Sequence, residues 1–585
     1  MKNLTHTLTG LSLLLALFAC SKAPIDTVLP SDFSGKWAEV DEYGHSDSYL
    51  DFYLGKCYSY TCNGKHRVTN DQMYGCRNMI RNLEKESDFC IIGDKMVIGD
   101  APEAVFFRIT DDHIRIGGKD YRRFKSFVDE QYPDDIPQSV IFSQDNYALL
   151  DGRDSILTFR TEPAYALWTK TEWFSDRDDI VSVDETGKIT AINVGTATIS
   201  VRLDDIVTGT CKVSVGSDLS AKESANCYIV SSFGGWEFRC DVKGNSQEQL
   251  PKADSVAVLW ESKGTMEETV RGDIIHHVKL DSTKVLFTAG RTDGNALIGV
   301  FKNKEVLWSW HIWVCQDYDP RKREQAYCNF SGFCVGTMMD RNLGALNLVA
   351  TSAANYGLFY QWGRKDPFPG SGAQDRNGPC KYTLGEVPKT QRNATTGTVA
   401  YATAHPTELL VVPDGDTQVN DWIEDANDNL WASAKTMYDP CPPGWRVPDG
   451  MAFDENNKVV EKGVWFGTHD SVSSEYYRWI LSSTGSHLIP GTVSINLAET
   501  FRSSRSTCIY PTAGRIDPNG NYVHSNARGY YWSCKAEKPI TRRSNALTIN
   551  YQDHAYGLYF STLVPGWFGC GYRSQGYNVR CQKME

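Results

Sequence analysis

A multidomain, mainly β protein is the fold class this chain predicts, and three observations carry that reading. At 585 residues it is too long for a single hydrophobic core and must divide into domains. Short β-branched runs with period-two alternation recur along it, broken by Gly, Asp and Asn turns. Aromatic residues make up 12%, with 16 Trp and 29 Tyr, a load that suits sandwich cores or, where rings are exposed, ligand stacking.

Composition also excludes several classes. Apolar content of 41% is ample for globular folding, and the negative mean hydropathy of −0.40 excludes a polytopic membrane protein. The formal charge of −12 argues against nucleic acid, because phosphate binding needs a basic face. No nucleic-acid partner is expected.

Residues 1–20 read as an export signal. Lys2 is the basic region and Leu8 to Phe18 the apolar one, too short to span a bilayer as a permanent helix. Leu17-Phe18-Ala19-Cys20 resembles a bacterial lipobox, which implies that Cys20 is acylated and becomes the mature N-terminus. The expected membrane contact is then a lipid anchor only, followed by a tether over 21–30. Setting Cys20 aside from the 17 cysteines leaves an even number, which in an exported chain fits disulfides. Zinc is the alternative, but Cys57 and Cys62 are separated by four residues and no Cys-x-x-Cys occurs. Spacing alone does not give the pairing.

Three β-domains are expected next. Over 31–128, Gly35-Lys36-Trp37 opens short runs at Tyr49 to Leu54, Cys90 to Ile98, Val105 to Ile109 and His113 to Ile116. These predict a β-meander, and the Gly-x-Trp start resembles small lipocalin-like domains of exported bacterial proteins. Its length favours a filled core over a ligand cavity. Over 136–216, Trp173-Phe174-Ser175, Ile180 to Asp184, Gly187 to Ile192 and Val194 to Val201 alternate strictly, with turns at Asp-Glu-Thr-Gly and Asn-Val-Gly. That segment resembles a group 2 bacterial Ig-like domain, whose usual role is a spacer in surface proteins. Over 218–316 a second β-sandwich is expected, closed by Val306 to Val314. There Val306, Trp308, Trp310, Ile312 and Val314 form an apolar face. Leu307, Ser309, His311 and Trp313 form the other, read as a wet flank.

From 317 to 585 the chain changes character. Three phrases stand out: Met339-Asp340-Arg341-Asn342-Leu343-Gly344-Ala345, Cys441-Pro442-Pro443-Gly444-Trp445-Arg446-Val447-Pro448, and Asn578-Val579-Arg580-Cys581. With Tyr530-Tyr531-Trp532-Ser533 they resemble the major paralogous domain first noted in Fibrobacter and the wider C-type-lectin-like group, which implies a C-terminal α+β domain. A helix normally follows the last Pro of the second phrase, but Asp449 to Asn457 reads as turn and loop. Cys441 and Cys581 are the expected bridge. Pro367 to Asn429 is a long irregular stretch, of the kind that is normally functional.

No catalytic signature is present. There is no Gly-x-Ser-x-Gly, His-Glu-x-x-His or P-loop, and His469-Asp470-Ser471 places its side chains on opposite faces of an extended chain. The oxygen-rich run from Asp414 to Asn429 copies part of an EF-hand at Asp425, Asn427 and Asn429, but Leu430 stands where Gly is needed and Thr436 where the bidentate Glu should be. No metal or cofactor is expected. Gly-broken aromatics near the C-terminus, namely Tyr551, His554, Tyr556, Trp567, Phe568, Tyr572 and Tyr577, are the candidate ligand-binding residues. The resulting expectation is a non-enzymatic, lipid-anchored outer-membrane adhesin or capture protein, surface-exposed, whose partner is a glycan or a protein surface ligand. A polysaccharide-acting enzyme and a fimbria-like structural subunit are the alternatives.

Overall fold

A computed structural model describes residues 34–53, 56–69, 71–75, 81–92, 95–100, 102, 104–328, 334–349, 352–372, 377–413, 420–450, 452–453, 459–461, 463–464, 492–496, 507–537, 542–544, 547–549, 553–561 and 567–585. Cys20, the signal peptide and tether, His469-Asp470-Ser471 and Tyr551 lie outside the described residues. The chain forms two compact units. One is Met1–Asp145 with Asp154–Thr190 and Ala197–Lys212; the other is Asn146–Arg153, Ala191–Thr196 and Val213–Glu585.

In the first unit the expected meander closes on itself. Strands Gly35–Glu39, His45–Tyr53, Lys56–Arg67, Arg81–Ile92, Lys95–Ile98, Ala104–Thr110, His113–Ile116 and Lys119–Phe124 make a closed barrel. Closure comes from the first strand pairing antiparallel with the last, Lys36 opposite Phe124. Trp37, Phe52, Cys57, Met96 and Ile114 fill its core. The run read as Cys90 to Ile98 falls in two strands, Arg81–Ile92 and Lys95–Ile98, which pair antiparallel.

The Ig-like strands fall where alternation places them. Thr171–Ser175 pairs antiparallel with Gly195–Leu203, and Ala197, Ile199, Val201 and Leu203 are buried while the residues between them are not. The Asp-Glu-Thr-Gly turn is held by Asp184, whose carboxylate accepts from the Thr186 amide at 2.8 Å and the Lys188 amide at 3.0 Å. Gly187 takes φ +79°, and any Cβ there would strike the Trp173 ring.

The second unit holds the sandwich. One sheet orders Cys227–Val230, Glu305–Val314, Gly294–Lys302 and Ser255–Ser262; the other orders Gly235–Arg239, Lys284–Ala289 and Ile275–Asp281. Trp308, Trp310 and Ile312 pack with Tyr228, Phe238 and Phe287 between the sheets. The opposite face corrects the sequence reading. Ser309, His311 and Trp313 are buried, not wet. Trp313 joins Trp260 and Leu297 in one core with Leu343, Leu358, Trp362, Trp431 and Trp532 of the C-terminal module.

Polar groups cross the same boundary. Ser309 Oγ donates to Asp366 Oδ1 at 2.6 Å, and Lys365 Nζ donates to the Ser309 carbonyl at 3.0 Å. Burial pushes His311 down to about 3, so it is neutral and donates from Nε2 to Asn295 Oδ1 at 2.9 Å. Asn295 in turn donates to the Gly344 carbonyl at 2.9 Å. Asn226 receives Trp308 Nε1 and donates to the carbonyls of Met437 and Asp439 at 2.7 and 2.9 Å. The sandwich and the module are therefore one folded body, not two adjoining domains.

The three sequence phrases converge. Gln325–Cys328, Cys334–Met338, Gln582–Lys583 and Trp445–Arg446 form one sheet, in that order. Met339 and Leu343 donate their amides to the carbonyls of Cys581 and Val579. Arg580 donates to Asn342 Oδ1 at 3.0 and 3.2 Å, while Asn342 Nδ2 reaches the Tyr356 carbonyl. The Asp439 carboxylate accepts from the amides of Cys441 and Val447, each at 2.8 Å. Cys441 and Cys581 form a disulfide. The even cysteine count did not extend to a full disulfide set: Cys57, Cys211, Cys227, Cys240, Cys315, Cys380 and Cys534 are buried thiols. Each serves as a small apolar core residue. The expected α+β character is muted, since Val399–Ala404 is the one α-helix among the described residues.

Candidate functional site

The module's largest sheet runs Tyr522–Val523, Arg515–Ile516, Gly576–Asn578, Arg528–Ala536, His554–Ser561 and Trp567–Tyr572, with Phe359–Gln361 also paired to Gly576–Asn578. A cleft of about 240 Å³ opens on it, lined by Arg515, Arg528, Tyr530, Tyr559 and Tyr577 and closed by Gly557, Leu558, Cys570 and Gly571. Strand periodicity explains the lining. Arg528 and Tyr530 lie two apart and share a face, and Tyr530 stands directly opposite Tyr559 on the next strand.

The rings and cations are layered. Tyr530 lies 5.0 Å from Tyr559 and 5.0 Å from Tyr577, centroid to centroid. The Arg515 guanidinium sits 4.8 Å over Tyr530 and that of Arg528 6.0 Å over Tyr559, at cation–π distances. Arg515 Nη1 also reaches the Tyr577 hydroxyl at 3.4 Å, and that hydroxyl donates to Gln575 Oε1 at 2.6 Å. The Gly514 amide bonds the Arg528 carbonyl, which brings the two arginines onto adjacent chain segments. His524 pairs with the Tyr530 hydroxyl at 2.9 Å. Burial, and then the positive charge of Arg528 and Arg515, lowers its pKa. A Cβ on Gly571 would overlap the Tyr577 hydroxyl, and one on Gly557 the Tyr531 carbonyl oxygen. Glycine at both positions lets strand and rings approach closely.

The candidate residues from sequence divide. Tyr577 is buried and stacks on Trp532 at 3.9 Å; it forms the floor of the cleft and offers no exposed face. Tyr556 is buried as well, its hydroxyl donating to Glu537 at 3.3 Å. Both are corrections to the reading of free stacking rings: a central strand covered on both faces leaves no wet side for them. His554 and Tyr572 face each other across two strands at 4.5 Å and are half-buried. Trp567 and Phe568 lie in a strand whose side chains at those positions are outside the description. Arg515, Arg528, Tyr530 and Tyr559 were missed. The Arg-x-Tyr spacing at 528–530 was the available signal.

The acidic run is tied down. Its first part, from Asp414 through position 419, lies outside the described residues. Beyond it, Asn420 donates its amide to Asp553 at 2.7 Å. Asp421 faces buried Arg573 at 3.6 Å, and Arg573 also pairs with Asp428. Burial pushes the Asp421 carboxyl up to about 7, with Arg573 opposing. Among the described residues no group of three or more His, Cys, Asp or Glu is placed to hold a metal. Described parts of the long stretch from Pro367 to Asn429 are likewise folded in, contributing Tyr382, Leu410, Trp422 and Ile423 to the core.

Comparison with known proteins adds a family for one segment. Residues 137–215 match the bacterial Ig-like domain (group 2). No curated protein matches the chain. Among solved structures, domains 5-6 of the S-layer protein SbsC are 13% identical, with 31% of this chain and 99% of that one covered and a TM-score of 0.13. The N-terminal four Ig domains of Dscam1 isoform 1.9 are 11% identical over 44% of this chain and 77% of that one, TM-score 0.12. No described helix is long and apolar enough to cross a membrane.

Proposed function

We propose that this is a lipid-anchored cell-envelope protein that captures a ligand at the C-terminal cleft and performs no catalysis there. The observation that carries the reading is the cleft itself. Two arginines and three tyrosines meet on a sheet whose frame is fixed by the Cys441–Cys581 bridge and the Arg580–Asn342 contact. A group 2 Ig-like segment over 137–215 supports an extracellular or surface position, because such domains usually serve as spacers there. Cys20 provides the anchor on this reading, on the outer face of the outer membrane. A glycan is the favoured ligand, since the partly exposed Tyr559 ring suits the apolar face of a sugar.

A glycan array probed with the mature chain tests the ligand class, run beside a reducing-sugar assay. Binding without product is the expected outcome, and Tyr559→Ala should weaken it. Product released from any bound glycan overturns the non-catalytic reading. For the anchor, Cys20→Ser should move the protein from the membrane fraction to the soluble fraction.

A further inference from the structure

We infer that the cleft selects acidic saccharides, carrying a carboxylate or sulfate, over neutral ones. This rests on the capture reading above and names the chemistry of its ligand. The lining carries two guanidinium groups and no Asp or Glu. Among the described residues, neither Arg515 nor Arg528 has a carboxylate within ion-pair distance. Other arginines of the same unit do face carboxylates: Arg573 with Asp421 and Asp428, Arg446 with Asp449, and Arg341 with Asp340. Two uncompensated arginines side by side, in a chain of net charge −12, repel each other unless an anion joins them.

One donor of the pair is also unspent. Arg515 Nε is buried without a hydrogen-bond partner, a condition that costs free energy until an acceptor arrives. Guanidinium forks donate to carboxylate and sulfate oxygens two at a time. Tyr559 is half-buried beside them and offers a ring face for the apolar side of a sugar. At about 240 Å³ the cleft is smaller than a drug-sized site, which spans roughly 300–1,000 Å³, so it fits one acidic sugar ring rather than an extended chain. An acidic peptide side chain brings a carboxylate but no flat ring face to set against Tyr559, which favours the saccharide.

The test is calorimetric titration of the mature chain with oligogalacturonate, chondroitin sulfate oligosaccharides, maltohexaose and a poly-glutamate peptide. Binding of one or both acidic saccharides is expected, weakening as salt is raised, with neither maltohexaose nor the peptide bound. Arg515→Gln and Arg528→Gln should each cost about tenfold or more. Arg528→Lys, which keeps the charge, should lose less, and it serves as the variant of choice if a Gln substitution lowers the melting temperature. Acidic-glycan binding unchanged in the double Gln variant overturns the inference. Maltohexaose bound equally well, with no dependence on either arginine, overturns it while leaving glycan capture standing. Arginine-dependent binding of poly-glutamate assigns the cleft to acidic peptides and overturns it too. No saccharide of either class bound by the wild type removes both readings.

Discussion

The Ig-like segment and the sandwich that follows it in sequence are built from similar strands and meet opposite fates. In Gly195–Leu203 every second residue is buried and its neighbours stay accessible. In Glu305–Val314 burial runs without interruption from Trp308 to Val314. The first strand serves one core. The second serves two, with Trp310 inside the sandwich and Trp313 inside the module. A strand with one wet face completes a single domain, whereas a strand covered on both faces is a wall shared by two cores. The sandwich is thus the base on which the cleft-bearing module is built.

Separating the pieces gives the largest expected contrast. Residues 137–215 expressed alone should unfold in one cooperative thermal transition. Residues 218–315 alone should aggregate or bind a hydrophobic dye, because the Trp260, Leu297 and Trp313 face loses its cover. A soluble, dye-silent sandwich fragment with a sharp transition would break the comparison.

Next in size is the bridge. Cys441 and Cys581 are 140 residues apart, and closing a loop of that length stabilises by about 4–5 kcal/mol in the chain-entropy model. The double Cys→Ala variant should therefore lower the denaturation midpoint of the sandwich and module and leave that of the Ig-like segment unmoved. Core truncations sharpen the point further. Trp313→Ala should cost about 3–5 kcal/mol and lower the stability of sandwich and module together. Ile199→Ala, at about 2–4 kcal/mol, should lower the Ig-like transition only. Two separate transitions in the Trp313→Ala protein would argue that sandwich and module fold independently.

The last contrast is a pH slope. His311 is depressed to about 3 by burial, below its unfolded value near 6.5. The stability that its neutral form supports is present above about pH 6.5 and is lost as pH falls toward 3, at about 1.4 kcal/mol per pH unit. Chemical denaturation between pH 7 and 4 should show this slope in the wild type and a shallower one in His311→Gln. An unchanged slope would mean that other groups carry the acid sensitivity.

Several elements were legible for plain physical reasons. Period-two alternation and an Asp-x-x-Gly turn located four of the Ig-like strands, those between Thr171 and Leu203, within a residue or two, since each depends only on its neighbours; the strands before and after them were not read. The apolar face of 306–314 was equally clear. Its other face was misjudged because Ser309 and His311 are polar. They are buried only because Asp366, Lys365 and Asn295 meet them from elsewhere in the chain. The aromatic tail was over-read in the same way. Tyr556 and Tyr577 have the composition of a binding surface and the positions of a core.

By itself the sequence determined the mainly β class and the Ig-like segment, because local alternation and turn chemistry act over a few residues. Only the tertiary structure decided which faces are dry, that the meander closes into a barrel, and that sandwich and module share a core. It alone brought Arg515 and Arg528 beside Tyr530 and Tyr559. Burial and charge compensation are set by partners far away in the chain, and no local pattern records who those partners are.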